Sequence, residues 1–320
     1  MRSDDKHVES IGSPRKLTDV LSELEHPTVS FEYFPPKTDV GVENLNSRIH
    51  SMRNMNPAWI DVTFGAGGST TERTLDICSG AIKRFGVNVM MHLTCTNMKK
   101  SDLDSVLDRM HAAGIRNIMA LRGDPPVDAQ AWTACEGGFA HAVDLVRYIR
   151  AKFGHFFCIG VAGYPEGHSD CESLEQDWRY LKDKVDAGAD LVITQLYYDN
   201  SLFFNFLDKA RSMGITCPIL PGIMPIMTYP GFVRMTTMCK TYVPVEISKQ
   251  LEIIKDDPVA VAKYGVELAA KMCAELVTSK RVIGVHLYTM NNEENVREIV
   301  RKIAPLLPST HTDWMRTEGC

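Results

Sequence analysis

The sequence predicts an α/β fold, a (β/α)8 TIM barrel with extra helices between strands 7 and 8. Eight apolar, β-branched segments of strand length alternate with helical segments, and most of their starts are about 30 residues apart. Glycines stand where several helices end before the next strand, as at Gly114, Gly154, Gly188 and Gly214. An open doubly wound sheet normally has fewer strands and a glycine fingerprint after its first strand, which favours the closed barrel.

The order of the predicted strands indicates one barrel, with a short segment before it and another after it. The predicted strands are 28–34, 58–64, 88–94, 117–121, 156–162, 190–197, 218–223 and 282–288. Residues 228–278 lie in the wide gap before the last strand and predict the inserted helices. Residues 1–20 are predicted to be a disordered or extended lead-in, 21–305 a single catalytic barrel and 306–320 a tail, with no regulatory domain.

Composition excludes several classes of protein. The 320 residues are 44% hydrophobic and 23% charged, which is typical of a globular protein and not of a disordered or collagen-like chain. The net charge of -5 comes without a block of basic residues, so no nucleic-acid partner is expected. No apolar run reaches the roughly 18 residues that a membrane span needs, and residues 1–16 lack the apolar stretch that is typical of a signal peptide. We therefore expect a cytoplasmic protein without a membrane partner.

Cysteine usage agrees with a reducing compartment. The nine cysteines are scattered and never form a C-x-x-C pair, so zinc-knuckle and thioredoxin chemistry lose their support. We interpret them as reduced thiols that act as small apolar residues.

In such a barrel, catalytic residues belong at the carboxyl ends of the strands. Polar residues do collect at the ends of the predicted strands. They are Glu32, Asp61, Thr63, His92, Thr94, Arg122, Gly123, Asp124, Tyr164, His168, Gln195 and Tyr288.

Glu32 is the first candidate for acid–base chemistry. Alternation along the first strand sends Ser30, Glu32 and Phe34 to one face, so Glu32 points into the barrel. A carboxylate among Phe and Pro is poorly solvated, which favours the protonated form that a general acid requires. A structural Glu paired with an Arg or Lys of the lumen is the alternative, and the spacing leaves both open.

Two strand ends carry loops with more than one interpretation. Residues 65–70, Gly-Ala-Gly-Gly-Ser-Thr, could present backbone N–H groups to a phosphate or form a tight turn with a helix cap. Arg122 and Asp124 flank Gly123, either as an ion pair that fixes the loop or with Arg122 on a phosphate or ring and Asp124 beside an electron-accepting heterocycle.

Other residues point away from specific chemistries. His168 on its own is more typical of a satisfied loop histidine than of a ligand, and the Met90/Met91 and Met235/Met238 pairs and Phe203, Phe204 and Phe206 are interpreted as core. No predicted strand contains a Lys for a Schiff base, and the sixth strand offers the amide of Gln195 instead. His92 and His168 lack a His-x-His pair or an evident carboxylate cluster, so no metal site is predicted.

Nine motifs between about residue 28 and residue 295 carry a resemblance to a known family. They are FEYFPPKT (31–38), DVTFGAGG (61–68), HLTC (92–95), ALRGDPP (120–126), EGGFAHAVDLV (136–146), VAGYPEGH (161–168), LKDKVDAGADLVITQLYYD (181–199), PGIMPI (221–226) and VHLYTMN (285–291). The motifs occur in the order found in one family, so the chain resembles methylenetetrahydrofolate reductase, a flavin-dependent barrel enzyme of folate one-carbon metabolism.

The resemblance implies a reaction and its cofactor. It implies reduction of 5,10-methylenetetrahydrofolate to 5-methyltetrahydrofolate through bound FAD, with NAD(P)H and the folate using the same flavin face in turn in a ping-pong mechanism. The product would supply methyl groups for methionine synthesis. A homo-oligomer is compatible with the sequence, which does not specify an assembly.

The resemblance also implies residue roles. Glu32 matches the general acid that helps to open the bridging ring to the 5-iminium cation, Asp124 the carboxylate that stabilises this cation, and Gln195 the amide that recognises the pterin. Tyr288 joins these three in the substrate site. The residues implied to bind FAD are Thr63, Phe64, His92, Arg122, Gly123, Asp124, Phe139, Ala140, Tyr164, His168, Asp177, Tyr180 and Lys184, with Arg122 and Lys184 supplying positive charge for the pyrophosphate.

Two departures qualify the resemblance. Asn292 stands where many relatives have an Arg that meets the folate carboxylates. The segments 243–257 and 263–269 resemble the catalytic half of the eukaryotic relatives more than they resemble the shorter bacterial enzymes. This resemblance favours NADPH over NADH as the electron donor. The eukaryotic regulatory region is not expected in this chain, nor is inhibition by S-adenosylmethionine. Two alternatives stay open, another flavin barrel such as a proline-dehydrogenase-like enzyme and a folate- or flavin-binding module without turnover.

Overall fold

Parallel strands alternate with helices in the computed structural model of the chain, which describes residues 14–64, 68–96, 98–123 and 135–311. The predicted (β/α)8 barrel is confirmed. Its strands are β1 (Thr28–Tyr33), β2 (Trp59–Val62), β3 (Val89–Thr94), β4 (Asn117–Leu121), β5 (Cys158–Gly163), β6 (Leu191–Thr194), β7 (Ile219–Leu220), β8 (Gly222–Ile223) and β9 (Gly284–Tyr288). They pair in parallel in the order β7-β6-β5-β4-β3-β2-β1-β9-β8.

Helices surround this sheet. They are α1 (Leu17–Ser22), α2 (Asp39–Met52), α3 (Gly68–Phe85), α4 (Lys100–Ala112), α5 (Ala142–Phe153), α6 (Leu174–Asp186), α7 (Asn200–Ser212), α8 (Tyr229–Cys239), α9 (Val245–Ile254), α10 (Pro258–Thr278) and α11 (Glu293–Ile303). The helices α8, α9 and α10 confirm the insertion predicted between the last two strands. Among the described helices, none combines the length and apolar character that crossing a membrane requires.

The seventh predicted strand consists of two short pieces, β7 and β8, separated by Pro221. Proline has no N–H to donate to a ladder, so pairing is interrupted there. β7 pairs with β6 and β8 pairs with β9, and together the two pieces close the barrel. Side chains bridge the interruption, because Gly222 N–H donates to Thr194 Oγ1 (2.9 Å) and the Tyr288 hydroxyl donates to Thr194 O (2.5 Å).

The amino-terminal end of the barrel is filled by α1. Leu17 and Leu21 are buried in one cluster with Trp59 and Met119 from the strand interiors. Asn117 at the start of β4 fixes this helix, since its Oδ1 accepts from Leu17 N–H at 2.7 Å and its Nδ2 donates to the carbonyl of residue 15 at 3.1 Å. The expected lead-in through residue 20 is therefore wrong from Leu17 onward, because an apolar residue pair in a short helix plugs the open barrel end.

Several helices start at a polar residue that directly follows a strand or loop. The side chains of Thr38, Ser173, Asp199 and Asp257 accept hydrogen bonds from backbone N–H groups in the first turns of α2, α6, α7 and α10. These bonds satisfy N–H groups that have no partner within the helix. The caps fix where each helix begins and so hold the strand ends in place.

Alternation along the strands separates two layers of core. Val29, Phe31 and Tyr33 of β1 face outward and are buried in the large cluster that includes Leu45 and Ile49 of α2. Ser30 and Glu32 face the lumen, as the alternation predicts. The tail continues in short 3-10 turns at Ala304–Leu306 and Ser309–His311, and the rest of it lies outside the described residues.

We expect Gly265→Ala to destabilise the fold. A Cβ at Gly265, inside α10, would lie 1.9 Å from the backbone oxygen of Ile226. Backbone cannot move aside cheaply, so the free energy of unfolding should fall by about 1–3 kcal/mol even though Ala is the better helix former. Urea unfolding measures the change.

The matched control is Gly80→Ala inside α3. Its Cβ would meet only the mobile end of Arg84, at 2.7 Å, so the unfolding free energy should stay level or rise by up to about 1 kcal/mol. Equal effects at the two positions would contradict the close packing of α10 on the segment after β8.

Candidate active site in the barrel lumen

A cavity of about 430 Å³ opens at the carboxyl ends of the strands. This volume lies within the roughly 300–1,000 Å³ of small-molecule sites. The predicted site residues that line it are Glu32, Thr63, Phe64, His92, Arg122, Gly123, Tyr164, His168, Gln195 and Tyr288. The barrel thus brings together residues that are more than 250 positions apart in the sequence.

Other predicted site residues stand beside this cavity or beyond the described part of the chain. Phe139 packs against Tyr148, with ring centres 5.2 Å apart, and Ala140 follows it before α5. Asp177, Tyr180 and Lys184 lie on α6, where Tyr180 is half exposed. Asp124 and the glycine-rich residues 65–67 lie outside the described residues.

Three neighbouring strands place Glu32, Asp61 and His92 together, and we call these residues the lumen cluster. Glu32 and Asp61 are register partners on β1 and β2. One oxygen or nitrogen from each residue lies within 4.8 Å of the others. The sequence-based expectation that His92 has no carboxylate cluster nearby is wrong, because the register of adjacent strands sets two carboxylates against it.

Asp61 is fully buried and held by two donors. Trp59 Nε1–H donates to Asp61 Oδ1 at 2.5 Å, and His92 Nε2 lies 3.0 Å from Asp61 Oδ2. Burial disfavours the charged form of His92, but the hydrogen bond to Asp61 and the charges of Glu32 and Asp61 raise the pKa of the ring above its usual range. The two carboxylates thus favour the protonated form of His92, which offsets part of their negative charge.

Glu32 lies between two histidine rings rather than among Phe and Pro. His92 Nε2 and His286 Nε2 are each 3.6 Å from Glu32 Oε2. The Glu32 side chain is about 20% exposed, so it reaches the cavity. The expected apolar surroundings are wrong, because Phe34 lies beyond the end of β1 and is 42% exposed. No Lys or Arg pairs with Glu32 within the described residues.

Positive charge gathers on the opposite side of the lumen. Arg122 after β4 forms an ion pair with Asp170, with Nη2 and Oδ2 2.7 Å apart. Lys184 donates to the carbonyl of Ala162 at 2.6 Å and lies 5.6 Å from the Tyr164 ring centre. Burial lowers the pKa of Lys184 to about 8, so the ammonium group keeps its charge near neutral pH.

His168 belongs to the same side of the lumen. Its Nδ1 accepts from Asp170 N–H at 3.1 Å, and its ring stands edge-on to Tyr164 with centres 4.7 Å apart. Burial, followed by the charge of Arg122, lowers the pKa of His168. Burial also raises the pKa of the nearby Asp177 despite the attraction of Lys184. His168 thus has the neutral ring of a satisfied loop histidine while it also lines the cavity.

The predicted substrate residues Gln195 and Tyr288 have backbone partners. Gln195 Oε1 accepts from Leu196 N–H at 2.8 Å. The Tyr288 hydroxyl is committed to Thr194, and burial raises its pKa well above the usual range, so the group remains a donor.

Methionines form the third wall of the lumen. Met224, Met235, Met238 and Met290 line the cavity together with Met119. The interpretation of Met238 as core is wrong, since it is 61% exposed. Met235 packs against the core cluster around Phe232, as expected, while it also lines the cavity. Met90, Met91, Phe203 and Phe206 are buried, as expected, and Phe204 packs against the core.

Several lumen residues were not singled out as site residues from the sequence. Glu166 and Met290 line the cavity, and Ser30 and His286 lie beneath Glu32. Asp61, which also lines the cavity, was named among the polar strand-end residues but was given no role there. Alternation offered a signal for Ser30, which shares a face with Glu32, and for His286, which shares one with Tyr288.

Glu166 links two loops at the cavity rim. It follows β5, and its Oε1 accepts from Tyr242 N–H, at 3.0 Å, in the segment between α8 and α9. Burial raises the pKa of Glu166 to about 7, a rise that the Tyr242 bond opposes and Asp199 assists.

Comparison with known proteins gives a consistent match. The family model described as methylenetetrahydrofolate reductase matches residues 16–304. A maize (Zea mays) relative, methylenetetrahydrofolate reductase (NADH) 1, is 48% identical over 283 residues, covering 86% of this chain and 48% of the relative. A Caenorhabditis elegans relative, a probable methylenetetrahydrofolate reductase (NADPH), is 38% identical over 279 residues, covering 86% and 42%. The chain spans about half the length of these curated relatives.

One solved structure has a similar fold. It is an uncharacterized protein from Clostridium thermocellum whose description states that it binds two copies of 5-methyl-5,6,7,8-tetrahydrofolic acid. The TM-score is 0.62 at 12% identity, over 89% of this chain and 97% of that one. At this identity the likeness supports the barrel fold alone.

We expect Glu166→Gln to stabilise the protein above pH 7. The folded protein binds a proton on Glu166 up to about pH 7, whereas the unfolded chain releases it near the ordinary pKa. The ionised carboxylate therefore destabilises the fold above pH 7, and this effect fades as the pH falls toward 4.5. Gln keeps an oxygen for Tyr242 N–H but cannot ionise. The Tm of the variant should exceed that of the parent at pH 8, and the difference should shrink at pH 5.

Glu43→Gln is the control, because Glu43 is exposed on α2. Its Tm difference from the parent should be small and the same at both pH values. A Glu166→Gln difference that does not change with pH would contradict the raised pKa.

Proposed function

The chain belongs to the methylenetetrahydrofolate reductase family, and from this premise we propose that it reduces 5,10-methylenetetrahydrofolate to 5-methyltetrahydrofolate through FAD, with NAD(P)H as electron donor. The observation that carries the proposal is the placement of Glu32. It is a partly exposed carboxyl group in a cavity at the carboxyl ends of the strands, with two histidines 3.6 Å away. General acid–base chemistry needs such a group within reach of a bound substrate.

The polar and positively charged groups around the cavity suit a cofactor with the charge of FAD. Its wall holds a buried hydroxyl oxygen, Thr94 Oγ1, which has no hydrogen-bond partner among the described residues. Buried polar atoms are normally paired, so this oxygen supports a bound polar ligand. Arg122 and Lys184 supply positive charge on the same side, which favours a pyrophosphate. We propose that these three residues, with Tyr164 and His168, hold the FAD.

The lumen residues divide the chemical work. When bound, FAD supplies hydride transfer between NAD(P)H and the folate in a ping-pong sequence. Glu32 gives a proton to the bridging ring of the folate, so that the carbon–nitrogen bond can break with its electron pair on nitrogen. A protonated His92, held in place by Asp61, offsets the negative charge that Glu32 gains after this transfer. The roles of Asp124 beside the cation and of Gln195 on the pterin stay predictions from the resemblance.

The donor and the compartment are further parts of the proposal. The sequence favours NADPH, whereas the maize relative is named for NADH and the C. elegans relative for NADPH. We propose a cytoplasmic enzyme that supplies methyl groups for methionine synthesis. The cysteines of the described residues are free thiols, which suits a reducing compartment.

We expect the purified protein to bind FAD and to show the absorption spectrum of an oxidised flavin. NADPH or NADH should bleach this spectrum without oxygen, and 5,10-methylenetetrahydrofolate should restore it. Stopped-flow absorbance with each donor gives the two rates and tests the preference for NADPH. Failure to take up FAD would overturn the proposal. Bleaching by the donor without recovery by the folate would favour the alternative of another flavin barrel oxidoreductase, such as a proline-dehydrogenase-like enzyme. Flavin uptake without bleaching would favour a binding module.

We expect Glu32→Gln to separate the two half-reactions. The amide preserves volume but has no proton to give, so folate reduction should slow by about 10²–10⁴-fold. Flavin reduction by NAD(P)H should stay nearly unchanged, because it needs no proton from Glu32. Single-turnover absorbance measures both rates, and Glu43→Gln is the control with neither changed. Equal loss in both half-reactions would remove Glu32 from the role of general acid.

A further inference from the structure

His286 is a fully buried histidine directly beneath Glu32. The proposed mechanism assigns no role to this histidine. It lies on β9, where it is the register partner of Ser30, and Tyr288 is the partner of Glu32. The ring is stacked on Trp59, with centres 6.3 Å apart and planes 17° apart, and Tyr288 stands edge-on to it at 5.2 Å. These contacts fix the ring plane and aim Nε2 at the acid.

The two ring nitrogens of His286 have different surroundings. Nδ1 lies 2.8 Å from Ser30 Oγ, which is a good hydrogen-bond distance. Nε2 is buried and has no hydrogen-bond partner within the described residues. The carboxyl group nearest to it is that of Glu32, whose Oε2 is 3.6 Å away. Such contacts in catalytic sites are often long without substrate and tighten in the complex.

His286 can satisfy Glu32 in both protonation states through only one tautomer. With a proton on Nε2, the ring donates to Oε2 whether Glu32 is a carboxylate or a neutral acid, and Ser30 donates to Nδ1. With the proton on Nδ1, the Nε2 lone pair would face a carboxylate oxygen, or would attract the proton that the substrate needs. His92 cannot take this place, because its own Nε2 is 3.0 Å from Asp61.

We propose that His286, aligned by Ser30, is a positioning residue that donates from Nε2 to Glu32 Oε2 and so confines the transferable proton to Oε1. The inference rests on the proposed function and deepens it. In the transfer, the O–H bond on Oε1 breaks and a bond from this hydrogen to the bridging nitrogen forms. The carbon–nitrogen bond breaks with its electron pair on nitrogen, and Glu32 is left as a carboxylate that still accepts from His286.

Every titratable group that faces Glu32 in the described residues enters this balance. His286 and Tyr288 approach from β9, Asp61 from β2 and His92 from β3. The charge of Glu32 adds to burial in raising the pKa of Tyr288. A change at His286 should therefore alter the pH profile of the folate half-reaction.

Three variants test the inference in the full chain with FAD bound. Ser30→Ala removes the donor to Nδ1, His286→Leu removes the ring nitrogens, and His286→Gln restores an N–H donor near Nε2. We expect Ser30→Ala and His286→Leu each to slow folate reduction by about tenfold and to shift the midpoint of its pH profile. This loss is smaller than the about 10²–10⁴-fold that a general acid contributes, because Glu32 itself is still present. Flavin reduction by NAD(P)H should stay within about twofold, and His286→Gln should recover most of the folate rate.

The control is Ser79→Ala, because the Ser79 hydroxyl donates to Leu75 O inside α3, at 2.7 Å, away from the lumen. It should change neither half-reaction. Unchanged folate reduction in Ser30→Ala and in a folded His286→Leu would overturn the inference, as would equal loss in both half-reactions. Ser30→Ala decides the matter if His286→Leu does not fold.

A spectroscopic measurement separates this inference from the proposed function. Nitrogen-15 NMR of histidine-labelled protein should place the proton of His286 on Nε2 in the parent and on both nitrogens in Ser30→Ala. A proton on Nδ1 in the parent would overturn the inference even in an active enzyme. A parent that shows the Nε2 proton but reduces no folate would overturn the proposed function and leave the hydrogen bond to Glu32 supported.

Discussion

The pairing of β9 with β1 is the constraint on which the site depends. This ladder closes the barrel and sets His286 opposite Ser30 and Tyr288 opposite Glu32. Side chains alternate across a strand, so a slip of one residue would send Glu32 into the outer core and an apolar neighbour into the lumen. The side chains of Phe31 and Tyr33 are buried against the helices on the outer face of β1. They oppose such a slip, because it would move both side chains into the lumen.

Closing the barrel also determines the electrostatics of the lumen. β1, β2 and β3 lie side by side and bring two carboxylates and one imidazole together with little access to water. Like charges that are this close and this buried would repel strongly unless a proton or a cation intervenes. The raised pKa of His92 favours a cation at this place, and Trp59 fixes the Asp61 side of the cluster. Within the lumen cluster, Glu32 is thereby the carboxyl group left with access to a ligand.

Sequence patterns predicted most of the barrel but less of the lumen. Periodicity placed the strands and the inserted helices, since burial of one face leaves its mark on local sequence. It did not show the break at Pro221 or the plug formed by Leu17, because both depend on how the barrel closes. The prediction of the neighbours of Glu32 was wrong for the same reason. Adjacency along the chain suggested Phe and Pro, whereas the register of the neighbouring strands brings His92 and His286 next to Glu32.

The lumen combines three walls with different physical characters. β1, β2, β3 and β9 carry carboxyl and imidazole groups, the ends of β4 and β5 carry positive charge, and α8 adds methionines. In the proposed reaction a nicotinamide and a pterin would bind in turn over one flavin face, so the site would have to accept two planar rings of different outline. Methionine side chains are flexible and polarizable, so they can repack around either ring. The acidic wall is built on strands, whereas Met235 and Met238 of the methionine wall lie on the inserted helix α8. Under the proposed function, these two side chains could therefore repack without changing the geometry around Glu32.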